Sequence, residues 1–361
     1  MLDQFLNQQK LPRILILRLS SIGDVLQASP VARELRRAFP ASYISWIVES
    51  KSQEVVQGNS NLDSIFVWPR KEWTDEAKKT GNYLALARRN LAFVKQIRKE
   101  KFQISIDLHG MLRSGFLSYL SGAKYRLCLP NPPEHAEYFA NINAKTRNFT
   151  TVFSRYLSVL KEFGIHKTEP EMEMPISLCS KRFALEFMAN HGLKEKKFFI
   201  LNPATSLPAK CWSADKFAKL GDVLIETYHL PVLIFGAQSD RLLTEKIITE
   251  MRHKPIDVTG LINLKQLGAI TKQACTFISG DTGPLYIAQA VGTPTVAIFG
   301  PTHANYYSLG KKNHIAIQGR DTCTNNVTTI EVYRAIRQLT TVKTFTNMHS
   351  QKRINLTPLE S

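Results

Sequence analysis

Short β-branched runs alternate with longer stretches of helical periodicity along most of the chain, and this alternation leaves few folds open. The run Arg13-Ile-Leu-Ile-Leu-Arg18 leads into residues 25–39, whose apolar positions recur at helical spacing. Residues 43–48 and 65–68 read as further strands, 82–101 as a long basic amphipathic helix and 103–108 as another buried strand. Strands joined through helices pair in parallel, because each crossover returns the chain to the same end of the sheet, and the helices then cover both faces. Residues 130–148, with Pro130, Pro132 and Pro133 ahead of a polar, Asn-rich stretch, read as an irregular loop, and 151–163 as a helix leaving the domain. Gly164, Pro170 and Pro175 punctuate a connection over 164–180. The pattern then restarts, with strands expected at 198–201, 232–235, 256–258, 276–279 and 295–299, and helices at 214–228, 239–252, 263–274 and 284–291. The organisation expected is a doubly wound α/β domain over 1–170, a second over 171–340 and a polar tail over 341–361. Ligands in such sheets sit at the carboxyl ends of the strands, and between two such domains in the cleft.

Composition narrows the partners. A chain of 361 residues that is 43% hydrophobic can bury a core in each of two domains, which excludes a disordered chain. Its formal net charge of +17 favours anionic partners. The excess is spread, with 25 cations against 15 acids in residues 1–170 and 22 against 15 beyond, so no basic tail explains it. No nucleic-acid-binding module accompanies the charge, and nucleic acid is not expected as a partner. The apolar stretch Ile14 to Leu17 is too short for a signal peptide or a spanning helix, and a cytoplasmic protein is expected. Cys128, Cys179, Cys211, Cys275 and Cys323 are widely spaced and odd in number, which reads as reduced thiols with neither zinc nor a disulfide framework.

Four loops are candidates for chemistry. In Arg18-Leu-Ser-Ser-Ile-Gly-Asp24, Ser21 and Gly23 form the turn after the first strand and Asp24 is placed to face the cleft; an Asp here equally suits a helix cap. Asp107-Leu-His-Gly-Met-Leu-Arg-Ser-Gly115 ends another strand, where His109 and Arg113 would meet an anionic acceptor, or be held by backbone and solvent. In Asn202-Pro-Ala-Thr-Ser-Leu-Pro-Ala-Lys-Cys-Trp212 the hydroxyls of Thr205 and Ser206 and the ammonium of Lys210 suit a diphosphate, although a loop lysine is commonly just solvated. In Ser279-Gly-Asp-Thr-Gly-Pro284, Pro284 opens a helix after Asp281, Thr282 and Gly283. Free backbone N–H groups then point outward at the positive end of the helix dipole, where a phosphate fits, unless Asp281 or Thr282 merely caps the helix.

Missing signatures exclude other chemistries. The loop after the first strand lacks the Gly-x-Gly-x-x-Gly spacing of dinucleotide binding, and the chain has neither a P-loop nor a Gly-x-Ser-x-Gly elbow. No two aspartates stand two residues apart, so the Asp-x-Asp metal-diphosphate signature is absent, and no His or Cys pair has zinc spacing. No metal is expected.

Taken in order, Arg18-Leu-Ser-Ser-Ile-Gly-Asp-Val-Leu-Gln-Ala-Ser-Pro30, His109-Gly-Met-Leu-Arg-Ser-Gly115, Lys210-Cys-Trp212, Asp281-Thr-Gly-Pro-Leu-Tyr-Ile-Ala288, Gly292-Thr-Pro294 and Phe299-Gly-Pro-Thr302 resemble glycosyltransferase family 9. These are the heptosyltransferases of lipopolysaccharide inner-core assembly, and the resemblance spans 12–340. It implies the GT-B architecture: two Rossmann-like doubly wound domains facing across a central cleft, the first binding acceptor and the second a nucleotide sugar. It also implies metal-independent, inverting transfer without a cofactor, usually from ADP-L-glycero-β-D-manno-heptose. Asp24 matches the catalytic base, Lys210 the donor-phosphate lysine, and Asp281, Thr282 and Gly283 the donor loop, with Thr205, Ser206, Pro284 and Tyr286 on the same side. Arg113 matches a basic acceptor-side position, joined there by Ser21, Gly23 and His109.

Two positions depart from the family pattern. Tyr286 stands where many members have His, and Lys210-Cys-Trp-Ser213 replaces Lys-Arg-Trp-Pro. They leave open a different nucleotide sugar or a non-catalytic sugar-nucleotide or glycolipid-binding role. The implied partners are a nucleotide-sugar donor, an anionic glycolipid acceptor and, peripherally, the cytoplasmic face of the inner membrane, with the basic helix over 82–101 as candidate contact. A monomer is the default, the oligomeric state being otherwise open.

Overall fold

The computed structural model describes residues 11–144 and 149–344, in two compact units divided between Pro175 and Ile176. The first unit holds β1 (Arg13–Leu17), β2 (Tyr43–Glu49), β3 (Ser64–Trp68), β4 (Ile104–Asp107), β5 (Tyr125–Cys128) and β6 (Ile142–Asn143), in the order β3-β2-β1-β4-β5-β6. The second holds β7 (Phe199–Asn202), β8 (Val232–Ile234), β9 (Ile256–Asp257), β10 (Thr276–Gly280), β11 (Thr295–Phe299) and β12 (His314–Gln318), in the order β12-β11-β10-β7-β8-β9. Numbered from its own first strand, each sheet has the same order, and the pairings are parallel. A repeat that residue-by-residue comparison does not reveal is therefore present in the topology. In this order the chain reverses its direction of travel beside the first strand, and the loops after strands one and four diverge to opposite faces, leaving a crevice. That switch point lies between β1 and β4 in one unit and between β7 and β10 in the other.

The central strands are apolar along their length because helices cover both faces. Leu15, Leu17, Ile47 and Phe66 meet Phe93 and Ile97 of the helix Tyr83–Lys99 and Leu117 of the helix Leu112–Leu120. In the second unit Phe217 and Leu224 of the helix Ala214–Tyr228, with Val332 and Ile336 of the helix Thr329–Thr344, close on Leu201, Ile278 and Ile298. Trp212 is fully buried in that core, and its indole N–H donates to the Val327 carbonyl at 2.9 Å, so no buried donor is stranded. The tryptophan thereby anchors one end of the loop that carries Lys210.

Several elements escape the sequence pattern for identifiable reasons. The helix Arg70–Thr80 buries only Ala77, so it has no apolar stripe to read. The helix Leu178–Asn190 buries Ser180, Ala184 and Met188, two of them small, and begins inside the stretch read as a connector; Ser177 caps it by accepting from the Ser180 amide at 3.1 Å. The segment 151–163 is α-helical only to Leu157 and continues as a 3-10 helix to Phe163. β6 and a 3-10 turn at Ala136–Phe139 give regular structure to the loop expected to be irregular, whose residues 145–148 lie outside the described residues. The helix Thr329–Thr344 likewise runs into the expected tail, of which 345–361 lie outside the described residues. No described helix is long and apolar enough to cross a membrane.

β12 carries a buried histidine whose titration has a measurable consequence. His314 Nδ1 lies 3.0 Å from the Thr295 hydroxyl, and burial, reinforced by the charge of Lys311, pushes its pKa down to about 4. An unfolded histidine titrates near 6.5, so between these values the unfolded chain binds more protons and this site's contribution to stability falls as pH falls. The loss amounts to about 2 kcal/mol at pH 5 relative to neutral pH. His314→Asn keeps a partner for Thr295 and should flatten that part of the profile in urea denaturation between pH 7 and 5; an unchanged slope would contradict the assignment.

Candidate active site

In the first unit the loops after β1 and β4 converge on Arg18. This guanidinium, at the end of an otherwise apolar central strand, is buried, and a buried charge requires partners. Its Nη2 pairs with Asp24 Oδ2 at 2.9 Å, and its Nη1 donates to the Leu108 carbonyl at 3.2 Å. The same Nη1 lies 3.3 Å from His109 Nδ1. Asp24 occupies the third position of the helix Ile22–Ala38 and reaches back to accept from the Ser21 amide at 3.2 Å and the Ser21 hydroxyl at 2.9 Å. Its side chain nonetheless remains 33% exposed, so the carboxylate both closes the helix start and stays open to a reactant. Gly23 does not form the expected turn: it lies buried within the first helical turn.

Across the switch point, Asp107 organises the second loop. Its Oδ1 accepts from the amides of His109 at 2.9 Å and Gly110 at 3.1 Å, and its Oδ2 from the Ser114 hydroxyl at 2.9 Å. Burial raises its pKa to about 6 against the pull of those bonds. Gly110 has φ +73°, and a Cβ there would press on Pro132 and Pro133, so the proline-rich loop packs onto this turn only because the residue is glycine. His109 Nε2 lies 2.9 Å from Arg113 Nη2. Both ring nitrogens face a guanidinium, which can only donate, and a neutral ring accepts through one nitrogen; the shorter approach makes Nε2 the acceptor and leaves the 3.3 Å approach of Arg18 to Nδ1 a contact without a hydrogen bond. Burial, then the charges of Arg18, Arg113 and Arg70, push the His109 pKa down to about 3, which keeps the ring neutral. Neutral His109 thus holds Arg113 in place, and Arg113 Nε is a buried donor with no hydrogen-bond partner.

In the second unit a cluster forms around Asp281, just past β10. Its Oδ2 accepts from Lys210 Nζ at 2.6 Å and from the Thr302 hydroxyl at 2.8 Å, while its Oδ1 accepts from the Tyr286 hydroxyl at 2.7 Å. Thr282 precedes the helix Gly283–Ala290, whose first turn contains Pro284 and which no side chain caps. Asn202 ties β7 to β10 through a 2.8 Å bond to Ser279. A Cβ at Gly280 would come within 2.9 Å of the Lys210 carbonyl and of Thr205 Cγ2, so glycine lets the Lys210 loop lie directly on β10.

Of the residues singled out from sequence, Asp24 and Ser21 join one cluster with His109 and Arg113, linked by Arg18. Lys210, Asp281 and Tyr286 join another, beside Thr282, Gly283 and Pro284. Thr205 is turned within its own loop, donating to the Leu207 carbonyl at 2.7 Å, and Ser206 is exposed. The buried Tyr286 hydroxyl points at Asp281 and fixes that carboxylate. Arg18, Asp107 and Thr302 were not singled out; a cation closing a buried strand is the signal that marks Arg18. Among the described residues, no group of three or more His, Cys, Asp or Glu side chains is placed to hold a metal ion.

Two doubly wound sheets of one topology, each with charged side chains at its switch point, are the architecture of the GT-B fold. The family model of glycosyltransferase family 9 (heptosyltransferase) matches residues 90–335, and the chain belongs to that family. It is 25% identical over 288 residues to the lipopolysaccharide core heptosyltransferase OpsX of Haemophilus influenzae, covering 79% of this chain and 78% of that protein. The structure of a family 9 glycosyl transferase from Veillonella parvula DSM 2008 superimposes with a TM-score of 0.78 at 21% identity, over 92% of this chain and 99% of that one. E. coli heptosyltransferase WaaC, solved with ADP-2-deoxy-2-fluoro heptose, superimposes with a TM-score of 0.70 at 18% identity, over 90% and 99%.

Proposed function

We propose that this glycosyltransferase moves heptose from ADP-heptose to an anionic lipopolysaccharide inner-core acceptor, with inversion and without a metal ion or cofactor. The observation that carries the reading is the Lys210–Asp281 pair set beside an uncapped helix start at the switch point of the second sheet. A cation and outward N–H groups together suit the diphosphate of a nucleotide sugar. An ammonium has three donors, so Lys210 can keep Asp281 and still reach a phosphate oxygen. Thr205, Ser206, Thr282, Gly283 and Pro284 line the same donor side, and Tyr286 acts on it through Asp281.

On the acceptor side Arg113, steadied by His109, holds carboxylate or phosphate groups of the glycolipid, with Ser21 and Gly23 at the start of the helix that carries Asp24. Asp24 takes the proton of the acceptor hydroxyl as its oxygen attacks the anomeric carbon opposite the leaving ADP, which inverts that centre. The sugar acquires oxocarbenium character, and the negative charge growing on ADP is met by Lys210 and the helix N–H groups. The absence of an Asp-x-Asp signature supports transfer without a metal. The WaaC complex with an ADP-heptose analogue supports ADP as the nucleotide. The enzyme acts as a monomer placed peripherally on the cytoplasmic face of the membrane that holds its acceptor.

Calorimetry with ADP, UDP and GDP tests the donor assignment. ADP should bind most tightly, and Lys210→Ala should weaken it about 30-fold, the scale of a lost charge-assisted hydrogen bond. A preference for UDP or GDP would keep the fold and replace the donor. Indifference to Lys210→Ala would remove the lysine from the phosphate site.

A further inference from the structure

On one face of the first sheet two neighbouring helices are built without acids, whereas the helix Arg70–Thr80 in the same layer carries Glu72, Asp75 and Glu76. The crossovers from β3 to β4 and from β4 to β5 advance in the same direction, so right-handed connections place both on one face, where Phe93, Ile97 and Leu117 meet. The helices Tyr83–Lys99 and Leu112–Leu120 lie side by side, with the Arg98 guanidinium against Gly122 just past the second. Neither contains an Asp or Glu, whereas the first carries Arg88, Arg89, Lys95, Arg98 and Lys99. Arg89 pairs with Glu76; the other four face solvent.

With its apolar stripe packed inward, such a layer should present a polar outer face. Instead Tyr83, Leu84, Leu91, Leu112, Phe116 and Tyr119 each expose between 49% and 62% of their surface. These are six of the thirteen large hydrophobic side chains so exposed among the described residues, gathered on two neighbouring helices. Leu84, Arg88, Leu91 and Lys95 follow one another at helical spacing, so aliphatic and cationic groups alternate along a single outward stripe.

We infer that this two-helix face docks on an anionic bilayer surface. The four solvent-facing cations meet lipid phosphates, Leu84 and Leu91 enter between headgroups, and the rings of Tyr83 and Tyr119 lie at headgroup level. A nucleic acid would match the charge but leave the exposed leucines in water, and so does not account for the alternation. The inference rests on the proposed membrane-held acceptor, and it gives contact with that membrane a place on the fold.

The test is sedimentation of the full chain with sucrose-loaded vesicles of phosphatidylcholine, alone or mixed with phosphatidylglycerol, in the absence of sugar substrates. Binding is expected only to the mixed vesicles. Arg88→Gln with Lys95→Gln should weaken it roughly 30-fold, and Leu84→Ser with Leu91→Ser about tenfold. ADP calorimetry should be unchanged in both double variants, and a wild-type-like cooperative urea transition verifies that the first unit folds. Lys311→Gln with Lys312→Gln, in the second unit, should leave vesicle binding at the wild-type level. Equal loss in that control, or vesicle binding indifferent to the leucine pair, would overturn the inference. So would tighter binding to single-stranded nucleic acid than to the mixed vesicles. Nucleotide binding is read separately, so failure of the docking face and failure of the donor assignment give different results.

Discussion

Asp24→Asn is expected to lower kcat for heptose transfer about a thousandfold, within the range contributed by a general base, while ADP affinity stays within about twofold of wild type. The variant separates the two uses of this side chain. As a cap, Asp24 accepts from the Ser21 amide and hydroxyl; an asparagine oxygen can accept from the same groups, so the start of the helix Ile22–Ala38 survives. As a base, it must take a proton, which a carboxamide cannot do at neutral pH. The asparagine oxygen can also accept from the Arg18 guanidinium, so the buried cation keeps a hydrogen-bond partner when the ion pair is lost. Turnover with a fixed concentration of ADP-heptose, alongside thermal melting, makes the comparison. A decrease of less than tenfold in a variant that melts normally would leave Asp24 as a cap and place the base elsewhere.

That ambiguity shows where the sequence is legible and where it is not. Alternation of β-branched and helical runs is a backbone property repeated many times over, so β1, β2, β4, β7, β10 and β11 and the crossovers between them could be read directly. The loops at the carboxyl ends followed, because a strand leading into a helix can place its connection at only one edge of the sheet. The order of the strands was not legible, since many orders satisfy the same alternation, and neither was the shared topology of the two units. Whole helices went unread where burial was slight, as in Arg70–Thr80, or where small residues formed the buried stripe, as in Leu178–Asn190. Within the site, motif residues such as Asp24 and Lys210 could be chosen by chemistry. Their partners could not, because Arg18 and His109 are 91 residues apart and Lys210 and Asp281 are 71 apart. Tyr286 illustrates the limit: its identity suggested a contact to the donor, while its buried hydroxyl is spent on Asp281.

Arg18→Met is expected to lower kcat/KM several-hundredfold, most of it in kcat, without contact between this residue and any reacting atom. Arg18 is a positioning residue. Its two terminal nitrogens join Asp24 to the Leu108 carbonyl, so one guanidinium sets the spacing between the loops after β1 and β4. Methionine fills much of the same volume but makes neither bond, and the Leu108 carbonyl and the Asp24 carboxylate lose a common anchor. A displacement of about 1 Å in a catalytic group costs on the order of a hundredfold, and the loosened turn at His109 adds to it through Arg113. Lysine can satisfy one partner at a time, so Arg18→Lys should recover part of kcat and little of the acceptor KM. A purely structural arginine would behave differently: both variants would lose stability together, and the surviving folded enzyme would turn over at the wild-type rate. Measuring kcat and acceptor KM at a temperature where urea denaturation shows each variant fully folded distinguishes the two. ADP binding serves as internal control, because the groups around Lys210 and Asp281 belong to the second unit and share no hydrogen bond with Arg18. Wild-type kcat in folded Arg18→Met would mean that Ser21 alone orients Asp24, and that Arg18 does no more than complete the buried end of β1.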